Sequence, residues 1–295
     1  MTRRVFNQIR KARPSTLLVA ADGPRVGHPD DQRKIKEVRA IVTDGVDWPC
    51  KVITNYSNRN MGCRERPKSG IDWAFSLVEE VIILEDDCLP DLSFFTFCED
   101  MLNRFRNEDR VMHVNGTNYI GKYLRPDSSY FFSKYVWVWG WATWRRAWKH
   151  YDYTMSTWDE RLQTLSESFD TRREKAFWMS TFEKARSDWR AVQTWDYSWI
   201  YSCWTMGGLT VTTKVNLIEN IGFGTDATHT NNLDSDHLRV PTENLYILQS
   251  PDRLQRSRLS DDMMFRAYAG DRINTCANFL GMLRVIYRQL AGVGK

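Results

Sequence analysis

The sequence lacks any apolar run long enough to cross a membrane, because no stretch approaches the roughly 18 uninterrupted apolar residues that a spanning helix needs. The apolar stretch 17–21 follows a basic N-terminal segment, but it is too short for the core of a signal peptide. We therefore expect a soluble, cytoplasmic protein. Peripheral contact with the inner membrane stays open.

Cysteine motifs are also missing. The chain has six cysteines, and none of them forms a Cys-x-x-Cys pair or a zinc-type spacing. This pattern argues against a disulfide scaffold or a structural zinc site, and reduced thiols in a cytosolic protein are the simplest account.

Two common nucleotide-binding signatures are absent as well. There is no Gly-x-Gly-x-x-Gly and no Gly-Lys-Ser/Thr loop, which argues against a dinucleotide-binding or P-loop enzyme. A formal net charge of +4 with 26% charged residues permits an anionic ligand but gives no indication of nucleic acid as a partner. The chain shows no repeat, and its 295 residues suffice for one large domain, alone or with a smaller appendage.

What the first part of the chain does have is alternation of strand and helix patterns. Buried strands are expected at 16–21, 51–54 and 81–84, with helices between them at 31–42 and from near Ser69. This order is typical of a doubly wound α/β unit with a mostly parallel, Rossmann-like sheet flanked by helices. Such sheets bind ligands at the C-terminal ends of their strands.

Three consecutive carboxylates, Glu85, Asp86 and Asp87, follow the strand at 81–84. Their mutual repulsion is best relieved by a cation, and hard oxygen ligands favour Mg²⁺ or Mn²⁺. The alternative is that the acids only lead into the next helix. Asp91 already provides a start signal for that helix, however, which leaves the three acids without a structural role.

Polar and cationic residues follow the other two strands. Asp22 and Arg25 come after the first strand, and the loop 58–68 carries four cations, including Arg66 and Lys68. Cations beside the N-terminus of a helix suit a diphosphate, so we predict that Asp22, Arg25, Arg66 and Lys68 lie at a diphosphate-binding site. A merely solvated basic loop is the alternative.

The second part of the chain is rich in tryptophan. Of the 13 tryptophans, 11 lie between Trp137 and Trp204. Indole faces stack on sugar rings, so Trp139, Trp141 and Trp195 are candidates for a sugar-binding wall. Packing in the core is the alternative for each single ring.

Two further residues are candidates for chemistry. Asp196 stands between Trp195 and Tyr197, where neighbouring rings would desolvate it and suit it to general base catalysis, although a helix N-cap is the alternative. His229, in a glycine-rich loop, is the candidate for a late metal or phosphate ligand, with a solvated histidine as the alternative.

The C-terminal pattern predicts an amphipathic helix that packs on the domain, forms a homodimer or contacts an anionic membrane. Its apolar positions are Ile273, Cys276, Leu280, Leu283, Tyr287 and Leu290. We divide the chain into a nucleotide-sugar-binding half (1–128), an aromatic-rich acceptor and catalytic half (129–240) and a C-terminal helical extension (241–295).

Taken in order, these motifs resemble those of the GT-A glycosyltransferases. The likeness is to the N-acetylglucosaminyltransferase I type and to bacterial nucleotide-diphospho-sugar transferases, and it covers roughly residues 16 to 230. The motifs are Trp73-Ala74, Val81-Ile82-Ile83-Leu84-Glu85-Asp86-Asp87, Pro90-Asp91, Phe94-Phe95, Gly140-Trp141 and Trp195-Asp196.

The resemblance implies a role for each acid. Asp87 would bind the Mn²⁺ or Mg²⁺ that bridges the donor diphosphate, and Glu85 and Asp86 would contact ribose and sugar. Asp196 would be the catalytic base, although the family's Trp-Asp-Asp-Trp segment is changed here: the second acid is missing and the next tryptophan comes one residue later. The eukaryotic relatives carry a membrane anchor and a lumenal stem, and we expect neither in this chain.

The expected function is metal-dependent, inverting transfer of a sugar from a nucleoside diphosphate donor to an acceptor hydroxyl. The resemblance implies a UDP-sugar, with UDP-N-acetylglucosamine as the first candidate, and the acceptor would be a saccharide or a lipid-linked sugar. A sugar-nucleotidylyltransferase is one alternative, but it normally shows a glycine-rich loop after the first strand. A metal-dependent carbohydrate-binding protein without turnover is the other.

Overall fold

A computed structural model describes residues 1–188, 192–222, 240–246 and 248–270. The helices in these ranges are α1 (Thr2–Ala12), α2 (Asp31–Thr43), α3 (Gly62–Leu77), α4 (Leu92–Arg104), α5 (Arg145–Trp148), α6 (Trp158–Glu167), α7 (Arg172–Ser187), α8 (Asp196–Thr205) and α9 (Arg258–Tyr268). The strands are β1 (Thr16–Ala21), β2 (Lys51–Tyr56), β3 (Glu80–Ile83), β4 (Cys88–Pro90), β5 (Val111–Asn115), β6 (Tyr130–Ser133), β7 (Trp141–Trp144), β8 (Leu209–Thr213) and β9 (Ile218–Asn220).

The α/β class is confirmed, and the sheets between the helices are mixed. β1 and β2 pair in parallel, as expected for a β-α-β unit. The larger sheet has the strand order β3-β7-β5-β8-β6. In it β5 and β8 run parallel, whereas β7 enters antiparallel between β3 and β5, and β6 is antiparallel to β8. The mixture arises because β6 and β7 return from the aromatic-rich half of the chain into the same sheet.

Two expectations are wrong: that the strand at 81–84 is buried on both faces, and that the strand at 16–21 is buried. β3 stands at the edge of the five-stranded sheet and is half-buried along its length. β1 belongs to a two-stranded sheet and is half-buried or exposed at every position. Edge and two-stranded positions leave part of each strand in contact with solvent, which an apolar run in the sequence does not reveal.

Helix α3 begins at Gly62, not near Ser69 as the sequence suggested. The carboxylate of Asp22, at the end of β1, accepts hydrogen bonds from the backbone N–H groups of Met61 and Gly62 at 2.8 to 3.0 Å. This cap is supplied by a residue 40 positions away, so the local sequence contains no signal for it. Pro67 therefore lies inside the helix and not in a loop before it.

Most of the tryptophan-rich segment forms the hydrophobic core. Trp141, Trp178 and Trp199 are fully buried, in one cluster that also contains Phe75 of α3 and Met264 of α9. Residues from all three predicted parts of the chain thus contribute to the same core. Large aromatic side chains supply much of the buried apolar area that stabilises it.

An ionic network fastens α9 to this core. Lys134, which follows β6, pairs with Glu174 of α7 at 2.7 Å, and both side chains are almost fully buried. Asp261 of α9 pairs with Arg256 and accepts a hydrogen bond from the Ser133 hydroxyl at 2.5 Å. The start of α9 is therefore held against β6 and α7.

Among the described residues, no helix combines the length and the apolar character that a membrane span requires. Five of the six cysteines fall in the described ranges and carry free thiols, as expected for reduced cysteines. The predicted C-terminal amphipathic helix, from Ile273 to Leu290, lies outside the described residues.

Candidate active site

The acidic segment forms a tight loop that is fixed to a second strand. After β3, the backbone N–H of Cys88 donates to the Glu85 carbonyl at 3.1 Å, and β4 then pairs with β9. The backbone N–H of Ile221 donates to the Asp87 carbonyl at 2.8 Å. The position of the carboxylates therefore depends on β9, which comes more than 130 residues later in the chain.

Asp87 lies half-buried against the chain that leaves β9. The Asn220 side chain hydrogen-bonds to its carboxylate, and the Cys88 thiol lies 3.5 Å from one carboxylate oxygen. A Cβ atom at Gly222 would clash with the same carboxylate, so only glycine permits this close approach. Burial, and then repulsion by Asp86, raise the pKa of Asp87 above its usual value.

Glu85 shows most clearly that the carboxylates converge. Burial, followed by the charges of Asp87, Asp196 and Asp86, raises the pKa of Glu85 to about 8. The Trp195 side chain hydrogen-bonds to Glu85 and opposes part of this rise. In the absence of a cation, Glu85 is therefore largely protonated at neutral pH.

Asp196, which is 109 residues beyond Asp87, belongs to the same cluster because its charge acts on Glu85. It is the first residue of α8. Its carboxylate accepts hydrogen bonds from the Thr194 hydroxyl and from the backbone N–H of Tyr197, the latter at 3.0 Å. These two bonds fix the orientation of the carboxylate at the start of the helix.

Cys63 is a site residue that the sequence did not suggest. Its thiol donates to the backbone carbonyl of Gln193 at 2.7 Å, and the charges of Glu85 and Asp196 raise the pKa of the thiol further after burial has raised it. The start of α3, the end of β3 and the start of α8 therefore meet at one place. No feature of the sequence around Cys63 distinguishes it from a packing cysteine.

Within the part of the chain that the structure describes, Glu85, Asp86 and Asp87 form no ion pair with a lysine or arginine. Asp86 is exposed and accepts a hydrogen bond from the Thr2 hydroxyl of α1 at 3.2 Å. Asp86 and Asp87 therefore place two neighbouring carboxylates at the end of β3, which fits a divalent cation.

Within the same ranges, no three His, Cys, Asp or Glu side chains converge in a group that could hold a metal ion alone. A cation bound by Asp87 would therefore need ligands from a bound molecule or from the rest of the chain. His229, the second predicted metal ligand, lies outside the described residues.

The predicted phosphate-binding cations are engaged elsewhere. Arg25 forms a two-pronged ion pair with Asp31 at 2.8 and 2.9 Å, and this contact holds the pKa of Asp31 well below its usual value. Lys68 pairs with Asp72 one helical turn away at 2.6 Å. Neither side chain is directed by these contacts toward the acidic cluster.

Arg66 is buried at the end of β2, where it donates to the Asn55 side chain at 3.0 Å, and desolvation lowers its pKa. Asp22 attracts Arg66 and also caps α3, as described above. The basic group expected in one loop is therefore distributed around a helix, because α3 starts before most of its cations.

The expected sugar-stacking role of Trp141 must be corrected. Trp141 is 0% exposed and has a ring stacked on each side, His113 at 4.8 Å and Trp195 at 5.7 Å between centroids. Its faces are therefore covered by protein. Trp195 is 4% exposed and directs its polar group to Glu85, whereas Trp139 is half-buried, with Tyr119 edge-on at 5.9 Å.

A cavity of about 570 Å³ lies beside β9, and none of the four carboxylates of the cluster lines it. Asn220 and Ile221, which contact Asp87, lie in its wall. The remaining lining residues are Arg4, Glu219, Val240, Pro241 and Thr242. The cavity is mainly polar, so a ligand that enters beside Asp87 would meet hydrogen-bonding groups.

Comparison with known proteins adds no assignment: no protein-family model matches this chain, and no curated protein sequence matches it.

Proposed function

We propose that the chain is a metal-dependent glycosyltransferase of the GT-A type. It moves a sugar from a nucleoside diphosphate donor to an acceptor hydroxyl, with UDP-N-acetylglucosamine as the first donor to test. The observation that carries the proposal is the convergence of Glu85, Asp87 and Asp196 at the end of β3, where the charges of Asp87 and Asp196 raise the pKa of Glu85. The resemblance of the sequence motifs to that family supplies the reaction type.

In this proposal Asp87 holds Mn²⁺ or Mg²⁺, and Glu85 lies beside it. A divalent cation bound there supplies positive charge to the leaving diphosphate. The donor diphosphate would supply further oxygen ligands, and His229 would be the second protein ligand or a phosphate contact.

Asp196 acts as the general base. It accepts the proton of the acceptor hydroxyl while the acceptor oxygen forms a bond to the anomeric carbon and the bond from that carbon to the diphosphate oxygen breaks. The hydrogen bonds from Thr194 and from the Tyr197 backbone keep the carboxylate oriented for this step. Inversion at the anomeric carbon is carried over from the resemblance.

Other residues position these groups. The Trp195 side chain fixes Glu85 through its hydrogen bond, and Trp139 is the remaining candidate for the acceptor side. Asp22 and Arg66 stay as donor contacts near the ends of β1 and β2. The acceptor is a saccharide or a lipid-linked sugar.

The direct test is release of UDP from a panel of UDP-sugars with Mn²⁺ present, together with thermal shifts of the same mixtures. Asp87→Asn should abolish both turnover and the shift that requires Mn²⁺, because it removes the cation ligand. Asp196→Asn should keep that shift but lower turnover by about a hundredfold or more, because only the base is lost.

The matched control is Asp100→Asn, a neutralised exposed carboxylate on α4, which should behave like the wild type. Normal UDP release by Asp87→Asn would contradict the proposal. Saccharide binding that needs no nucleotide and gives no turnover would instead favour the carbohydrate-binding alternative.

A further inference from the structure

Helix α1 carries a row of exposed cations that the proposed reaction does not use. Val5 and Phe6 are buried against the rest of the protein, while Arg3, Arg4 and Lys11 are exposed on the other side of the helix. Their spacing places them along one face, about two turns long. The helix has no acidic residue in its first turn.

These three cations differ from the neighbouring Arg10, which forms an ion pair. Arg10 on the same helix pairs with Asp47, whereas Arg3, Arg4 and Lys11 form no ion pair with a residue of the described ranges. The row therefore presents positive charge to solvent.

The position of α1 brings this row to the edge of the active site. Thr2 hydrogen-bonds to Asp86 in the acidic loop, and α1 packs against β4, α2 and α4. Arg4 also lines the cavity of about 570 Å³ beside β9, whose Asn220 hydrogen-bonds to Asp87. A surface that binds these three cations therefore lies close to the acidic loop 85–87.

Exposed apolar side chains accompany the cations. Met1 precedes α1 and is 59% exposed, Leu92 begins α4 and is 44% exposed, and Val26 is 99% exposed in the loop between β1 and α2. Val26 lies five residues before α2, and both α2 and α4 pack against α1. Cations with neighbouring exposed apolar groups are the combination that binds the interface of an anionic bilayer.

We propose that the α1 face docks the protein on an anionic phospholipid surface. The apolar side of α1 is used for packing inside the protein, so the helix does not insert, and the attraction is mainly electrostatic. A planar lipid surface contacts only the protruding groups. An extended nucleic acid is less suitable, because its phosphates would also pass over the negative cluster at Asp86 and Asp87.

The test is co-sedimentation of the full chain with vesicles of phosphatidylcholine alone or of an equimolar mixture with phosphatidylglycerol. It uses no sugar nucleotide, so its result is independent of the proposed transferase activity. We expect binding to the anionic vesicles at low ionic strength, little binding to the neutral ones, and release by high salt.

The test variant is Arg3→Gln/Arg4→Gln/Lys11→Gln. Each cation near an anionic surface changes the partition about fivefold, so this variant should bind roughly a hundredfold more weakly. The control variant is Lys149→Gln/Arg161→Gln/Lys184→Gln, which removes three exposed cations from the aromatic-rich half and should bind like the wild type. Thermal unfolding midpoints show whether the variants are folded.

Three results would overturn the proposal. One is failure of the wild type to bind anionic vesicles at low ionic strength. The second is equal loss of binding in the two triple variants. The third is preferential binding of a DNA duplex when DNA and anionic vesicles compete. Because the salt dependence is measured on the wild type, the test does not depend on the folding of any variant.

Discussion

Glu85 titrates far above an ordinary glutamate because it is buried among other carboxylates. With a folded pKa of about 8 against an ordinary value of 4.5, the native state binds a proton that the unfolded state has already lost at neutral pH. The sign follows from this difference: the contribution of Glu85 to stability is present at low pH and is lost as the pH rises from about 4.5 to 8.

We therefore expect the free energy of unfolding of the metal-free protein to fall across this range. Glu85→Gln should reduce the fall by an amount on the order of a few kcal/mol, because glutamine cannot ionise. Urea denaturation at about pH 5, 6, 7 and 8, in the presence of a chelator, measures this pH dependence of the free energy of unfolding. An unchanged pH dependence in Glu85→Gln would show that this carboxyl is already ionised in the folded protein.

Asp22 was predicted from the sequence as a donor contact, and the structure gives it a second role as the cap of α3. The sequence predicts that Asp22 lies at the end of a strand, because an apolar run ends there. Its role as a cap was not, because the capped N–H groups belong to Met61 and Gly62. The same reason explains why the start of α3 was misplaced.

Asp22→Ala should lower the free energy of unfolding by about 1 to 2 kcal/mol, because the first turn of α3 loses its acceptor. Asp22→Asn should lower the free energy of unfolding by clearly less, because its carboxamide oxygen still accepts a hydrogen bond. Chemical denaturation of both variants provides the comparison. If Asp22→Ala is as stable as the wild type, the hydrogen bonds to Met61 and Gly62 do not stabilise the helix.

The acidic loop, by contrast, was largely predictable. A strand that ends in Glu85, Asp86 and Asp87 is visible in the sequence, and so is the start of α4, where Asp91 accepts from the Ser93 N–H at 2.9 Å. The hydrogen bonds to Asn220 and Ile221 were not predictable, because they depend on the pairing of β4 with β9. The local sequence pattern predicts the strand and the helix on either side of the acidic loop, whereas the elements that pack against the loop depend on the tertiary fold.

The aromatic-rich segment shows the same limit for the molecule as a whole. Its density of rings was visible, but whether a given ring stacks on sugar or on protein depends on contacts across the chain. Trp141 stacks on His113 from β5 and on Trp195 from the turn before α8. Only the folded arrangement separates a core tryptophan from one with a free face.

The buried pair of Asp261 and Arg256 joins the last described helix to this core. Asp261→Asn should lower the free energy of unfolding by about 2 kcal/mol, because buried Asp261 loses its charge toward Arg256, which is half-buried and keeps its pair with Asp170. Asp262→Asn is the control. Asp262 forms a partly exposed pair with Arg266 one turn away, and its loss should cost about 0.5 kcal/mol or less.

Thermal or urea denaturation of the two adjacent variants measures the difference. Equal stabilities would mean that the buried network does not hold α9, and that the packing of Met263 to Phe265 is sufficient.

The most direct test of the central claim is a crystal of the protein grown with Mn²⁺ and UDP, with anomalous scattering measured at the manganese edge. The account predicts one peak in contact with the Asp87 carboxylate and with oxygens of the UDP diphosphate, beside Glu85 and Asp196. A diphosphate bound elsewhere, or Asp87 without manganese while UDP occupies the site, would contradict it.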